Sequence, residues 1–118
     1  MRKKLLVVDD HEGVRSATRR VFERDFEILE AGDESEALRL YEAAAPDVVL
    51  LDIDLHGMPQ GWDILTRIRK LGRKTVVLLV TGLALADRHP LAGQADGVFG
   101  KPYDINLVRS FLAEKGML

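Results

Sequence analysis

The sequence contains no cysteine. Disulfides, thiolate metal sites, iron–sulfur clusters and cysteine nucleophiles are therefore excluded. It also lacks a long hydrophobic run. The longest apolar stretches are of the size of Val76–Val80, far short of the roughly 20 residues a membrane-spanning helix needs. The basic start Met1-Arg2-Lys3-Lys4 leads into an apolar run that stops at Asp9, too soon for a signal-peptide core. Strong charge of one sign is missing as well. With 19 acidic and 17 basic residues the net charge is −2, which argues against a large footprint on a phosphate backbone. The expectation is a cytoplasmic protein with no membrane insertion and no direct nucleic-acid binding. At 118 residues there is no room for a second domain of ordinary size, so residues 1–118 are read as one domain.

Hydrophobic residues make up 47% and charged residues 31%, the balance of a folded soluble domain and too apolar for disorder. Apolar runs without polar alternation stand at Leu5–Val8, Val48–Leu51 and Val76–Val80, with a weaker one at Gly97-Val98-Phe99 and a fifth candidate at Phe26–Ala31. Such runs suit strands buried on both faces of a parallel sheet. Between them lie helical stripes. Val14, Ala17, Thr18, Val21 and Phe22 form the first. Ala37, Leu38, Tyr41, Ala44 and Ala45 form the second, with Asp33 and Glu36 spaced as a capping box. Ile64, Leu65, Ile68 and Leu71 form the third, stopped by Gly72, and Leu107, Val108, Phe111 and Leu112 the last. All four stripes are read as core. Leu83–Ala95 carries Pro90, Gly93 and no clean stripe, which predicts a short or broken helix. The order βαβαβαβ(α)βα implies an open parallel sheet with helices on both faces. Ligands bind such sheets at the carboxyl ends of the strands.

Those ends carry a consistent chemistry. The first strand runs into Asp9-Asp10, the third into Asp52 with Asp54 two residues on, the fourth into Thr81 and the fifth into Lys101-Pro102. Carboxylates converging at one sheet edge require a compensating cation. Mg²⁺ suits them, since it takes oxygen ligands and needs only one or two carboxylates plus phosphate. A carboxylate oxygen can attack phosphorus to give an acyl phosphate. Mg²⁺, Lys101 and the Thr81 hydroxyl are the groups that would hold the phosphoryl oxygens.

Taken together, these residues make the chain resemble a response-regulator receiver domain over essentially its whole length. The resemblance rests on Leu5-Leu6-Val7-Val8-Asp9-Asp10, on Pro46-Asp47-Val48-Val49-Leu50-Leu51-Asp52, on Thr81 and on Lys101-Pro102. It implies a doubly wound α/β fold with a five-stranded parallel sheet of order 2-1-3-4-5. It further implies that Asp52 accepts a phosphoryl group from a phosphohistidine on a sensor histidine kinase or a histidine phosphotransfer protein. Asp10 would bind Mg²⁺ directly, Asp9 through water, and Asp54 through its backbone carbonyl. Thr81 and Lys101 would hold the phosphoryl group, and a downstream protein would read the charged state by contact. With no output domain, such a chain would not be an enzyme beyond its own phosphorylation and dephosphorylation.

The chain also departs from the family pattern. His56 stands where a proline is usual, and Gly61 lies nine residues after Asp52, one more than usual. Asp54, His56, Gly82 and Val98 are therefore read as modulating positions. Val98 occupies the place of a usual aromatic, with Phe99 one residue later. Two other readings compete. One is a pseudo-receiver that takes no phosphate and acts as a protein-binding module. The other is a haloacid-dehalogenase-like phosphatase, suggested by Asp52-Ile53-Asp54 but opposed by an acid pair that precedes the nucleophile.

Overall fold

The computed structural model describes residues 2–82, 86–102 and 104–118. Strands β1 (Lys3–Val8), β2 (Phe26–Ala31), β3 (Val48–Leu51), β4 (Val76–Thr81) and β5 (Gly97–Gly100) alternate with helices α1 (Glu12–Phe22), α2 (Glu34–Ala44), α3 (Gly61–Lys70) and α4 (Ile105–Glu114). All strand pairs are parallel and the sheet order is β2-β1-β3-β4-β5, as expected.

Strand periodicity divides the core in two. Leu6, Val8, Val49, Leu51, Val77 and Leu79 point to one face and pack with Tyr41, Ile64, Leu65 and Ile68 of α2 and α3. Leu5, Val7, Val48, Leu50 and Leu78 point to the other and meet Phe22 of α1 and Val108 and Leu112 of α4. Each such side chain taken fully out of water contributes about 1.5–3 kcal/mol, so the unbroken apolar runs are what force helices onto both faces. The capping box at α2 is half made, since the Glu36 carboxylate bonds the amide before the N-cap Asp33 and not that of Asp33 itself. Asp33 accepts from the Glu36 amide at 2.8 Å and Glu36 Oε1 accepts from the Gly32 amide at 3.0 Å.

Four stripe positions differ from expectation by being exposed, Ala17, Ala45, Leu71 and Leu107, and Ala45 is the left-handed C-cap of α2. Ala17 is exposed while Val14 and Val21 are half-buried, because the start of α4 stands off α1. The two leave an open apolar groove of about 550 Å³ between Val14, Ala17 and Val21 on one side and Pro102 and Ile105 on the other. Leu107 and Leu71 are 59% and 43% exposed. Leu107 lies on the outer side of its helix, and Leu71 is the C-cap residue of α3, past its packed face.

The segment between β4 and β5 has two short 3₁₀ turns, Ala86–Arg88 and Ala92–Gln94. This agrees with the broken helix expected over Leu83–Ala95, of which residues 83–85 lie outside the described residues. Side chains of α3 hold it down. Trp62 stacks on His89 with ring centroids 3.9 Å apart. Arg69 donates to the Gln94 carbonyl at 2.7 Å and to Asp96 Oδ2 at 2.9 Å.

The longer loop after β3 closes on itself. Leu55 and Met58 exchange both backbone hydrogen bonds, at 2.9 and 3.0 Å, around a two-residue turn in which His56 (φ 53°) and Gly57 (φ 76°) are both left-handed. Left-handed backbone at both central positions defines the tight hairpin turn that suits twisted strands. The added residue is thus absorbed in a small hairpin. Gly61 then returns against the strand, donating its amide to the Ile53 carbonyl at 2.9 Å. A Cβ on it would lie 2.7 Å from the Asp52 carbonyl oxygen.

Candidate functional site

Register brings the expected residues to one edge. Val8 of β1 pairs with Leu51 of β3, so the residues following them, Asp9 and Asp52, leave the sheet side by side. The Asp52 amide donates to the Val8 carbonyl at 2.9 Å. Thr81 pairs with Gly100 at the ends of β4 and β5, and the Lys101 amide donates to the Thr81 carbonyl at 2.7 Å. The lysine side chain turns back across the edge. Its Nζ donates to Asp9 Oδ2 at 2.8 Å and to Asp52 Oδ2 at 2.9 Å.

Both carboxylates are almost fully buried, with 5% and 6% of the side chain exposed, against 25% for Lys101. Burial raises the Asp52 pKa, and the Lys101 ammonium does not offset it because the Asp9 charge acts in the same direction. For Lys101 burial opposes the charged form, but the hydrogen bonds to Asp9 and Asp52 outweigh it and hold the ammonium above its usual pKa. Burial also opposes the charge on Asp10. The His56 amide, donating to Oδ2 at 2.9 Å, and the nearby His11 outweigh that and lower its pKa.

Asp10, Asp52, Asp54, Gly82 and Lys101 line one cleft of about 310 Å³, together with His11. The Asp54 side chain is exposed, while its amide donates to Asp52 Oδ1 at 3.2 Å. Thr81 is buried at the end of β4, 1% exposed. Gly82 has space for a methyl group, since a Cβ there would be 4.0 Å from that of Lys101. His56 is in the hairpin outside the cleft; its amide holds Asp10 and its Nε2 lies 3.1 Å from the Gly32 carbonyl. Val98 pairs with Leu79 and packs on the α2–α3 face. Phe99 points to the opposite face, edge-on to Phe111 at 5.8 Å. Phe99 is therefore core for α4, and no aromatic has slipped one place from the Val98 position.

Two residues beside the site were not singled out from the sequence. Arg15 Nη1 donates to the Asp9 carbonyl at 2.6 Å and its Nε lies 3.4 Å from Glu30, so α1 is tied to the acidic edge. His11 follows the acid pair directly, and that contiguous Asp-Asp-His was the available signal.

The donor set fits a hard divalent cation. Against the four carboxylates of Asp9, Asp10, Asp52 and Asp54 the described residues of the cleft bring one ammonium, Lys101, and that is shared by Asp9 and Asp52. Asp10 Oδ1 is buried and accepts no hydrogen bond among the described residues. An unpartnered buried carboxylate oxygen is costly unless charge compensates it, and oxygen-rich sites of this kind suit Mg²⁺.

Comparison with known proteins gives the same reading of the fold and family. The family model described as the response regulator receiver domain matches residues 5–113. A putative transcriptional regulator of Pseudomonas aeruginosa is 37% identical over 98% of this chain, which spans 56% of that relative's length. Sporulation initiation phosphotransferase F of Bacillus subtilis is 30% identical, with 92% of this chain and 90% of that protein covered. Among solved structures, a response regulator protein from Thermotoga maritima in complex with Mg(2+)-BeF superposes with a TM-score of 0.84. It is 26% identical, with 98% of this chain and 99% of that chain covered. The chain belongs to the response regulator receiver domain family of two-component signalling.

Proposed function

We propose that residues 1–118 act as a single receiver module that takes a phosphoryl group on Asp52 from a phosphohistidine and signals by protein contact. The observation that carries this is the ammonium of Lys101 bridging Asp9 and Asp52 beside Asp10 Oδ1, a buried oxygen that accepts no hydrogen bond among the described residues. An Asp52 oxygen attacks phosphorus as the phosphorus–nitrogen bond of the donor breaks. The bonding pair leaves with the imidazole nitrogen, which is neutralised by a solvent proton, and an acyl phosphate remains. Lys101 releases Asp52 Oδ2 to meet an incoming phosphoryl oxygen, keeping its contact with Asp9, while the Thr81 hydroxyl donates to another. Mg²⁺, held by Asp10, Asp52 and the Asp54 carbonyl with Asp9 assisting, supplies positive charge to the phosphoryl oxygens when bound.

The donor in this reading is a sensor histidine kinase or a histidine phosphotransfer protein, and the apolar groove beside α1 that opens next to Lys101 is where its helices would dock. The site chemistry requires no nucleic-acid contact, and a cytoplasmic address is consistent with there being no helix long and apolar enough to cross a membrane among the described residues. Intact-mass measurement after incubation with acetyl phosphate and Mg²⁺ tests the reading. One phosphoryl adduct is expected, absent from Asp52→Asn and from the metal-free sample. No adduct with either acetyl phosphate or a phosphoramidate donor would favour the pseudo-receiver.

A further inference from the structure

The sequence Asp9-Asp10-His11 places a nitrogen donor directly against the two carboxylates. His11 Nδ1 is 3.1 Å from Asp10 Oδ1 and 3.3 Å from Asp9 Oδ1. The three residues offer ligand atoms that all lie within 4.8 Å of one another. The backbone enforces this arrangement. The His11 amide donates to Asp9 Oδ1 at 2.8 Å, which folds the chain back on itself where β1 gives way to α1. His11 is also the N-cap residue of α1 with an extended backbone, yet its side chain makes no capping hydrogen bond. The ring is thus not committed to the helix.

The Asp10 carboxylate, 15% exposed at its side chain, bears on the same point. Asp10 Oδ1, the atom nearest the ring, is buried and has no hydrogen-bond partner among the described residues even with Nδ1 at 3.1 Å. Nδ1 is hydrogen-bonded to Asp9 Oδ1 at 3.3 Å and lies beside Asp10 Oδ1 without hydrogen-bond geometry, so that three donor atoms face one another within 4.8 Å. His11 also lines the same cleft as Asp10 and Asp52. The other histidine nearby is differently engaged: Nε2 of His56 is at the Gly32 carbonyl and its Nδ1 stands 3.9 Å from Asp10.

From this geometry we propose that His11 is a nitrogen ligand of the acidic site, giving it a preference for first-row ions such as Mn²⁺, Co²⁺ and Ni²⁺ over Mg²⁺. This rests on the cation-binding reading of Asp10 above. Mg²⁺ is satisfied by oxygen ligands and gives up its waters reluctantly, so an imidazole adds little to its binding. Imidazole nitrogen strengthens binding of the later first-row ions, and affinity rises from Mn²⁺ through Co²⁺ to Ni²⁺. His11 is 72% exposed at its side chain, so replacing it changes the donor set with little effect on the core.

The test is calorimetric titration of the full chain with MgCl₂, MnCl₂, CoCl₂ and NiCl₂, without any phosphodonor, for wild type, His11→Gln, His56→Gln and Asp10→Asn. The expected result for His11→Gln is a loss of about ten-fold or more in Co²⁺ and Ni²⁺ affinity with Mg²⁺ affinity unchanged within about two-fold. His56→Gln should leave Ni²⁺ affinity unchanged. The visible absorption of bound Co²⁺ should shift in His11→Gln, a signature that a merely structural role would not move. Equal losses for Mg²⁺ and Ni²⁺, or no loss for either, would overturn the role of His11 while leaving the cation site standing. Unchanged Mg²⁺ binding in Asp10→Asn would instead overturn the cation site itself, and His11's role with it.

Discussion

Replacing Lys101 with methionine isolates the electrostatics of the acidic edge. Its ammonium is held 2.8 Å from Asp9 and 2.9 Å from Asp52, whose side chains are only 5% and 6% exposed. Removing it leaves two carboxylates facing each other in a poorly hydrated place. Breaking a fully buried pair typically costs about 3–5 kcal/mol. The lysine is one-quarter exposed, so water repays part of this and about 2–3 kcal/mol is the expected cost. For a chain of this length the unfolding entropy near Tm is roughly 0.25 kcal/mol/K, so Tm should fall by about 8–12 °C. The assay is thermal unfolding by circular dichroism at pH 7.5 and low salt, in EDTA and in MgCl₂. A cation that binds only the native state stabilises by mass action. The variant, lacking its own ammonium, should gain more from Mg²⁺ than wild type does. The pH dependence has a definite sign. Lys101 has a raised pKa in the fold, so its contribution is fully present below the ordinary lysine value of about 10.4 and is lost as pH rises through the raised one. Wild-type and variant stabilities should therefore converge in strong alkali. A Tm loss below about 3 °C, or one that Mg²⁺ leaves unchanged, would refute the reasoning.

Three further outcomes follow from the same geometry. Asp52 has a pKa raised by burial, so the charged form costs stability at neutral pH and stability is regained as pH falls through the raised value. Asp52→Asn should therefore raise Tm at pH 7.5, and denaturant titrations should show this advantage fading in acid. Gly61→Ala should destabilise by about 2–3 kcal/mol in urea unfolding, since its Cβ would meet the backbone of Asp52 and Ile53; a change under 0.5 kcal/mol would contradict the close approach. His89→Ala removes the ring stacked on Trp62 and should cost about 0.5–1.5 kcal/mol while shifting the Trp62 emission, with unaltered fluorescence as the contrary result.

Much of this architecture could be read from the residues because the strands are buried on both faces. Val48–Leu51 and Val76–Val80 contain no polar residue to blur the signal. β1 begins earlier than its apolar run, at Lys3, because Lys3 and Lys4 pair with Phe26 and Glu27 through backbone hydrogen bonds that leave no mark in side-chain hydropathy. The convergence of Asp9, Asp52 and Lys101 was likewise legible, since each directly follows a strand. The first helix was legible as a helix, but the packing of its stripe was not. Its stripe is apolar at Ala17, yet Ala17 is exposed, and periodicity cannot tell a core face from the wall of an open groove. The hairpin at His56-Gly57 was visible only as a count of one extra residue, because a histidine in left-handed backbone has no strong sequence signature. His11 was overlooked because its relation to Asp10 depends on how the chain folds back through the Asp9 carboxylate.

The central claim is that the carboxylate of Asp52 itself takes the phosphoryl group. Borohydride trapping tests it most directly. After reaction with acetyl phosphate and Mg²⁺, an acyl phosphate is reduced by borohydride to the alcohol, and peptide mass spectrometry locates the residue that changed. The account predicts conversion of residue 52 alone, none without metal, and none in Asp52→Asn. Conversion at Asp9, Asp10 or Asp54 instead, or a phosphoryl adduct that borohydride leaves untouched, would contradict it.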